Sequence, residues 1–111
     1  MINFYKYDVI VVKFPFVGTL KYKARPAVVI SNIDYNTASR NTLIVLAISS
    51  QIDTKLDFEI EIEEWDKSGL LKPSIFKSLI MSIDINDVIT KIGSLTYKDK
   101  ESLDKLINKI L

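Results

Sequence analysis

The sequence predicts a mainly β fold with one helix (β+α): a small, partly open antiparallel β-barrel with a C-terminal helix. Short runs rich in Val and Ile follow one another along most of the chain, and few Gly or Pro clusters separate them. Residues 96–111 instead repeat apolar side chains at helical spacing. At 111 residues and 48% hydrophobic content, the chain is expected to form one domain over residues 1–111. Closely spaced strands followed by one helix favour a barrel that the helix closes.

The first part of the chain predicts two strands joined by a loop. Residues 8–14 (DVIVVKF) form a buried strand that Pro15 closes, and residues 17–22 form the loop. Residues 25–31 (RPAVVIS) form the second strand. Pro26 has no backbone N–H to donate, so it belongs at a strand start or at an edge.

The middle of the chain predicts two further strands. Residues 32–40 (NIDYNTASR) have the composition of a connection with room for a helical turn, and residues 42–50 (TLIVLAISS) are apolar enough to form a central strand. Residues 57–63 (DFEIEIE) alternate strictly, which predicts a half-buried strand. In that strand the apolar side chains face inward and the carboxylates face solvent: Phe58, Ile60 and Ile62 against Asp57, Glu59, Glu61 and Glu63.

The last part predicts a loop over residues 66–73, strands over residues 74–83 and 88–95, and the helix. Thr96 can cap the helix, with Asp99 as the acidic partner of a pair like a capping box. The predicted helix carries one apolar stripe, formed by Leu103, Leu106, Ile107 and Ile110.

The composition excludes several kinds of chemistry. The chain has no cysteine, so it can form no disulfide or thiolate metal site, and no histidine, which is the commonest general acid–base group and metal ligand. No run approaches the roughly 18 apolar residues that span a bilayer, and the first residues lack the pattern of a signal peptide. We therefore expect a cytoplasmic protein without a cofactor, a metal or a membrane segment.

Positive charge is concentrated in the first half of the chain. Residues 1–56 carry a net charge of +4 and residues 57–111 carry −3, on a molecule of net charge +1. This asymmetry allows a local positive field, although random scatter of surface charge would give the same count. Lys21, Lys23 and Arg25 alternate, so an extended backbone puts all three on one face.

This cationic ladder (Lys21, Lys23 and Arg25) is suited to an RNA phosphate. A guanidinium offers a planar fork of donors, and lysines add attraction to the backbone without reading sequence. Because Arg25 adjoins Pro26 where the arm enters the sheet, we expect the stem of Arg25 to be held in place. The alternative is an ordinary solvated hairpin arm.

Two other polar patterns have structural explanations. The carboxylates of residues 57–63 could suggest a metal or acid–base site, but like charges on a strand more often solvate it and discourage edge pairing. At residues 48–51 (ISSQ) a long apolar strand ends in hydroxyls and an amide, which is also how strands commonly terminate. Hydrolase-elbow, Walker, Rossmann and HExxH motifs do not occur.

Five segments resemble the MazF/PemK-like toxins in order and spacing. They are YDVIVVKFPF, KARPAVVIS, TLIVLAISSQ, GLLKPS and SIDINDVITKIGSLT, which together extend over nearly the whole chain. The most specific parts are Arg25-Pro26 before a Val/Ile strand and the stretch over residues 69–74. Nothing in the Arg-Pro and Ile-Ser motifs supports the rival activity of this fold, action on DNA gyrase.

The resemblance implies a barrel of the MazF/PemK/CcdB toxin type, commonly a homodimer, and a sequence-specific endoribonuclease for single-stranded RNA that a cognate antitoxin neutralises. In such toxins a ribose 2′-OH attacks the adjacent phosphate without metal, which leaves a 2′,3′-cyclic phosphate and a 5′-OH. The family's catalytic arginine falls on Arg25 and its catalytic threonine on Ser49. We expect the RNA-binding residues to be Lys21, Lys23, Ser50 and Gln51.

Several positions depart from the family pattern. Ser49 keeps the hydroxyl of threonine but loses the methyl group that restrains χ1. Tyr7 stands where the family often has glycine. Leu79 and Met81 stand near positions where many active members carry Gln and Arg. The alternative hypothesis is therefore a catalytically impaired module that binds RNA or an antitoxin.

Overall fold

A computed structural model describes residues 3–15, 22–52 and 56–111, which form one six-stranded sheet and two helices. All strand pairs are antiparallel, in the order β4-β5-β3-β2-β1-β6. The two edge strands, β4 and β6, do not pair with each other, so the sheet stays open as predicted. The elements are β1 Asp8–Pro15, β2 Tyr22–Val29, α1 Ile33–Ala38, β3 Thr42–Ser49, β4 Ile60–Ile62, β5 Ser74–Asp84, β6 Val88–Ser94 and α2 Tyr97–Ile110, with 3-10 turns at Trp65–Ser68 and Ile85–Asp87.

The two faces of the sheet carry separate apolar clusters. On one face Leu103 and Leu106 of α2 pack against the sheet, with Val9, Val28 and Leu46 fully buried. The apolar stripe predicted for the helix is therefore its buried side. The opposite face, called here the second face, carries a smaller cluster built from β1, β2 and β3: Ile10, Val12, Ala27, Val29, Leu43 and Val45.

The second strand is longer at its start than the sequence predicts. β2 begins at Tyr22, paired with Pro15 of β1, and ends at Val29. The predicted loop over residues 17–22 lies, apart from Tyr22, outside the described residues. Pro26 lies inside the strand, opposite Val11. The helical turn expected within residues 32–40 is α1, capped by the Asn32 side chain, which accepts from the Tyr35 N–H at 2.9 Å.

The strand predicted over residues 57–63 is wrong in its first half. Only Ile60–Ile62 form a strand, and Phe58 is exposed where the alternation placed it inward. Its φ of 63° belongs to a turn. Glu59 is buried instead, and its carboxylate accepts a hydrogen bond from the Leu56 N–H at 2.8 Å. A local carboxylate-to-backbone bond thus overrides the period-two pattern.

The start of α2 uses the predicted residues in a different way. Thr96 is the N-cap residue, but its hydroxyl bonds to Glu64 at 2.5 Å and makes no capping bond. Asp99 is fully buried and accepts the backbone N–H groups of Glu63 and Glu64, both at 2.9 Å. The Asp99 carboxylate therefore joins α2 to the segment after β4, and the predicted capping box is absent.

Tyr7, where the resemblance places glycine, has a φ of 78°, a left-handed conformation that favours glycine. Three contacts hold it there. Its N–H donates to the Val29 carbonyl at 2.7 Å, its carbonyl accepts from the Leu95 N–H at 3.0 Å, and its hydroxyl donates to the Asp104 carboxylate at 2.9 Å. Burial, with help from Asp104, raises the pKa of Tyr7 to about 12. Within the described part of the chain, no helix is long and apolar enough to cross a membrane.

Candidate active site

A groove of about 240 Å³ opens on the second face where β3 ends. Four adjacent strands contribute to it, because the order β5-β3-β2-β1 brings their second-face side chains together. Its main lining residues are Phe14, Arg25, Ser49, Gln51, Lys77 and Leu79. The groove therefore combines two cations and a hydroxyl with apolar walls.

Arg25 reaches the groove from β2. It lies opposite Val12 of β1, on the strand side that also carries Ala27 and Val29 of the second-face cluster. The sequence predicted that packing would hold its stem, but the residue is exposed. Among the described residues Arg25 forms no ion pair with a carboxylate. Its five N–H donors thus face a groove with no acidic side chain in its described lining.

Ser49 is the last residue of β3 and lies opposite Ile75 of β5. Its hydroxyl oxygen accepts a hydrogen bond from the Gln51 N–H at 3.1 Å. This bond restrains a side chain that lacks the methyl group of threonine. In the described part of the chain no acceptor takes the Ser49 proton, so the hydroxyl can donate to a ligand in the groove.

Gln51 is the one predicted RNA-binding residue in the described lining of the groove, together with Arg25 and Ser49, and it is exposed. Lys23 lies two residues before Arg25 on β2, opposite Phe14, and is exposed beyond the groove. Ser50 is exposed and is not part of the lining. Lys21 lies outside the described residues.

Lys77 is a groove residue that the sequence analysis did not single out. It lies on β5, which flanks β3 on the side opposite β2 and Arg25, and it is half-buried. The alternation of residues 75–83 contains the signal: the side that carries Ile75, Leu79, Met81 and Ile83 carries one lysine. The meaning of this lysine depends on the pairing of β5 with β3, which the sequence does not reveal.

Leu79 and Met81, which both depart from the family pattern, have different surroundings. Leu79 lines the groove and is 49% exposed. Met81 is half-buried and packs against the second-face apolar cluster. The apolar replacement that a ligand in the groove would meet is therefore Leu79.

A larger cavity of about 600 Å³ lies elsewhere, between α1, the Ile85–Asp87 turn and β6. Asn36, Arg40 and Lys91 border it above an apolar floor that includes Phe4. None of the predicted site residues lines it. Volume alone would favour this cavity, but the groove holds the combination of guanidinium, hydroxyl and ammonium that suits phosphate chemistry. No cluster of three or more potential metal ligands occurs in residues 3–15, 22–52 and 56–111.

An open antiparallel sheet, a C-terminal helix packed on one face and a cationic groove on the other define a small β-barrel protein with one helix. Comparison with family models matches residues 5–111 to the PemK-like, MazF-like toxins of type II toxin-antitoxin systems. The chain belongs to this family. The family assignment made from the sequence is thereby confirmed. A search of curated proteins gives no significant match.

Solved structures share the fold at low sequence identity. A Mycobacterium tuberculosis toxin, MazF-mt6, is 18% identical with a TM-score of 0.74, over 93% of this chain and 94% of that one. MazF in a MazE-MazF complex from Deinococcus radiodurans is 16% identical with a TM-score of 0.76, over 99% and 94%. An endoribonuclease in complex with its cognate antitoxin, from a mycobacterial species, is 12% identical with a TM-score of 0.75, over 99% and 94%. These likenesses agree with the predicted barrel.

Proposed function

We propose that this chain is the toxin of a type II toxin–antitoxin pair and cleaves single-stranded mRNA at specific sequences without a metal ion. Toxins of its family are generally endoribonucleases. The observation that carries the proposal is the presence of Arg25 and Ser49 in one groove. The proposed substrate is cytoplasmic, which agrees with the compartment expected from the sequence.

The proposed reaction is an internal transesterification. The ribose 2′-oxygen forms a bond to the adjacent phosphorus while the bond from phosphorus to the 5′-oxygen breaks. The 2′-hydroxyl proton is lost to solvent and the 5′-oxygen gains one from solvent, which gives a 2′,3′-cyclic phosphate and a 5′-OH. Negative charge grows on the phosphoryl oxygens in the transition state, and the Arg25 guanidinium and the Ser49 hydroxyl are the donors assigned to stabilise it.

The proposed partners are a cognate antitoxin and a second copy of this chain. Two of the similar solved structures are complexes with an antitoxin or with MazE. An acidic antitoxin segment would be attracted to the field that attracts RNA phosphate. On the second face Leu79 of β5 is 49% exposed, and on β6, the edge strand toward the other end of the sheet, Ile89 is 50% exposed. A homodimer would bury apolar surface of this kind.

The second candidate function is a module of the same family that binds RNA or an antitoxin but cleaves poorly. The observation that favours it is Leu79, because an apolar side chain in the groove offers no hydrogen bond to RNA. The two candidates differ in cleavage and not in binding, so one assay separates them.

The deciding experiment incubates the purified protein with a long single-stranded RNA and maps the product ends. We expect cleavage that persists in EDTA and leaves cyclic or 3′-phosphate and 5′-OH ends. Arg25→Ala and Ser49→Ala should each lower kcat by about 100-fold or more, the scale of losing one transition-state donor. Ser49→Thr should stay active, and Lys105→Ala, exposed on α2, is the matched control. Binding without cleavage would favour the impaired module, and activity lost in EDTA and restored by Mg²⁺ would favour a metal nuclease.

A further inference from the structure

Lys77 places a charged side chain on an otherwise apolar side of β5. Its neighbours on that side of β5 are Ile75, Leu79, Met81 and Ile83, and three of these four side chains are buried or half-buried. Lys77 is itself half-buried, so a charged side chain occupies a position where an apolar one would pack against its neighbours. Among the described residues Lys77 forms no ion pair and no side-chain hydrogen bond. Nothing described in the fold uses its charge.

The strand registers place Lys77 at a defined distance from the proposed reaction centre. Ala27 of β2 lies opposite Ala47 of β3, and continuing this antiparallel register by two residues brings Arg25 level with Ser49. On the other side Ile48 lies opposite Phe76, which puts Lys77 near the level of Ala47, where the β3–β5 register shifts. Lys77 is therefore offset from the level of Arg25 and Ser49 by about two residues, or roughly 7 Å, toward the start of β3.

The two cations also lie on opposite sides of β3. Because adjacent strands are about 4.8 Å apart, the backbones of β2 and β5 are separated by roughly 10 Å. Arg25 and Ser49 can thus act on one phosphate together, whereas Lys77 is offset from it both across the sheet and along the strand. An offset cation in a groove without a described acidic lining suits the next anionic group of a polyanion.

We propose that Lys77 binds the RNA phosphate next to the scissile one and so positions the substrate for Arg25 and Ser49. This inference rests on the proposed function and adds to it a positioning residue on β5. A lysine is suited to the role because a mobile point charge attracts a backbone phosphate without demanding one geometry. Substitution should therefore weaken binding, and it should have little effect on the chemical step.

The test compares Lys77→Met, Lys77→Arg and Lys105→Met with the wild type. The wild-type cleavage site is mapped first. An oligoribonucleotide of that sequence then serves for kinetics, and a copy with a 2′-deoxyribose at the cleaved position serves for binding. Lys77→Met should raise KM and the Kd of the deoxy copy about fivefold to tenfold, with kcat within about twofold. Its plot of log K against log salt should be shallower by about 0.7, the contribution of one phosphate contact to a single strand.

The controls make each outcome decisive. Lys77→Arg should restore KM, and Lys105→Met, which removes the same charge on the helix side, should leave KM and the salt slope unchanged. A KM and slope unaltered in Lys77→Met would overturn the inference. So would a kcat loss as large as that of Arg25→Ala, which would put Lys77 on the scissile phosphate, or weakened antitoxin binding with normal RNA binding. A wild type that neither cleaves nor binds RNA would refute the proposed function itself.

Discussion

At the scale of single residues, the placement of the predicted site residues was more predictable than local conformations. The family resemblance predicted catalytic roles for Arg25 and Ser49, and the structure has both in one groove. Their roles in catalysis stay a prediction. The sequence could not predict that Gln51 restrains Ser49, because this bond depends on how the chain turns after β3. It also missed Lys77, whose meaning depends on the pairing of β5 with β3.

Tyr7 gives a prediction about alkaline stability. Its pKa rises from 10.0 to about 12 in the folded chain, so the folded state holds the phenol proton more tightly than the unfolded state. The stabilisation is fully present below pH 10 and is lost as the pH rises from 10 to 12. Tyr7→Phe should lower the free energy of unfolding by about 1–3 kcal/mol at pH 8, because Asp104 loses its donor.

The measurement is urea unfolding of both proteins at several pH values from 8 to 12. The difference between wild type and Tyr7→Phe should narrow above pH 10. Tyr35→Phe, at an exposed position on α1, provides the control for loss of a phenol. A difference that stays constant across this range would show that the Tyr7 proton is not linked to folding.

At the scale of elements, the longer hydrophobic patterns predicted strands and helices reliably, because a single local contact changes a long pattern little. β1, β3, β5, β6 and α2 agree with their predictions to within about two residues at each end. The pattern over residues 57–63 failed because a three-residue edge strand gains little from pairing, so one Glu59 bond decides the local conformation. A close backbone approach also lay beyond prediction: a Cβ on Gly93 would meet the Ser68 carbonyl oxygen at 2.3 Å.

Asp99 gives a prediction about how α2 is attached. Its buried carboxylate is the acceptor for two backbone N–H groups, so Asp99→Ala leaves both without that partner. We expect a loss of about 2–4 kcal/mol in the free energy of unfolding, since each unsatisfied buried group costs about 1–3 kcal/mol. Urea denaturation measures the loss. Glu101→Ala, exposed on the same helix, should change stability by less than about 0.5 kcal/mol. Equal stabilities of the two variants would contradict the assigned role.

At the scale of the whole molecule, the strand order brings cations from both halves of the sequence together on the second face. Exposed Lys23 and Arg25 lie on the second face, together with the groove and Lys77. Glu63, from the acidic half, pairs with Lys98 of α2 at 2.9 Å. Net charge alone could not reveal this arrangement, because strand order decides which charges become neighbours.

The cations of the second face predict that RNA and antitoxin compete for one surface. Reversing Lys21 and Lys23 to Glu should weaken binding of both partners by at least about tenfold at low salt, because phosphate and acidic side chains respond to the same field. The difference from wild type should shrink as salt rises, since screening reduces the field for both proteins. Reversing Lys105 and Lys109, which are exposed on α2, makes the same change in net charge and should have little effect. Fluorescence anisotropy over a salt series, with labelled RNA displaced by antitoxin, measures both affinities. An antitoxin that binds the Lys21/Lys23 variant as tightly as wild type at every salt concentration would mean that neutralisation uses another surface.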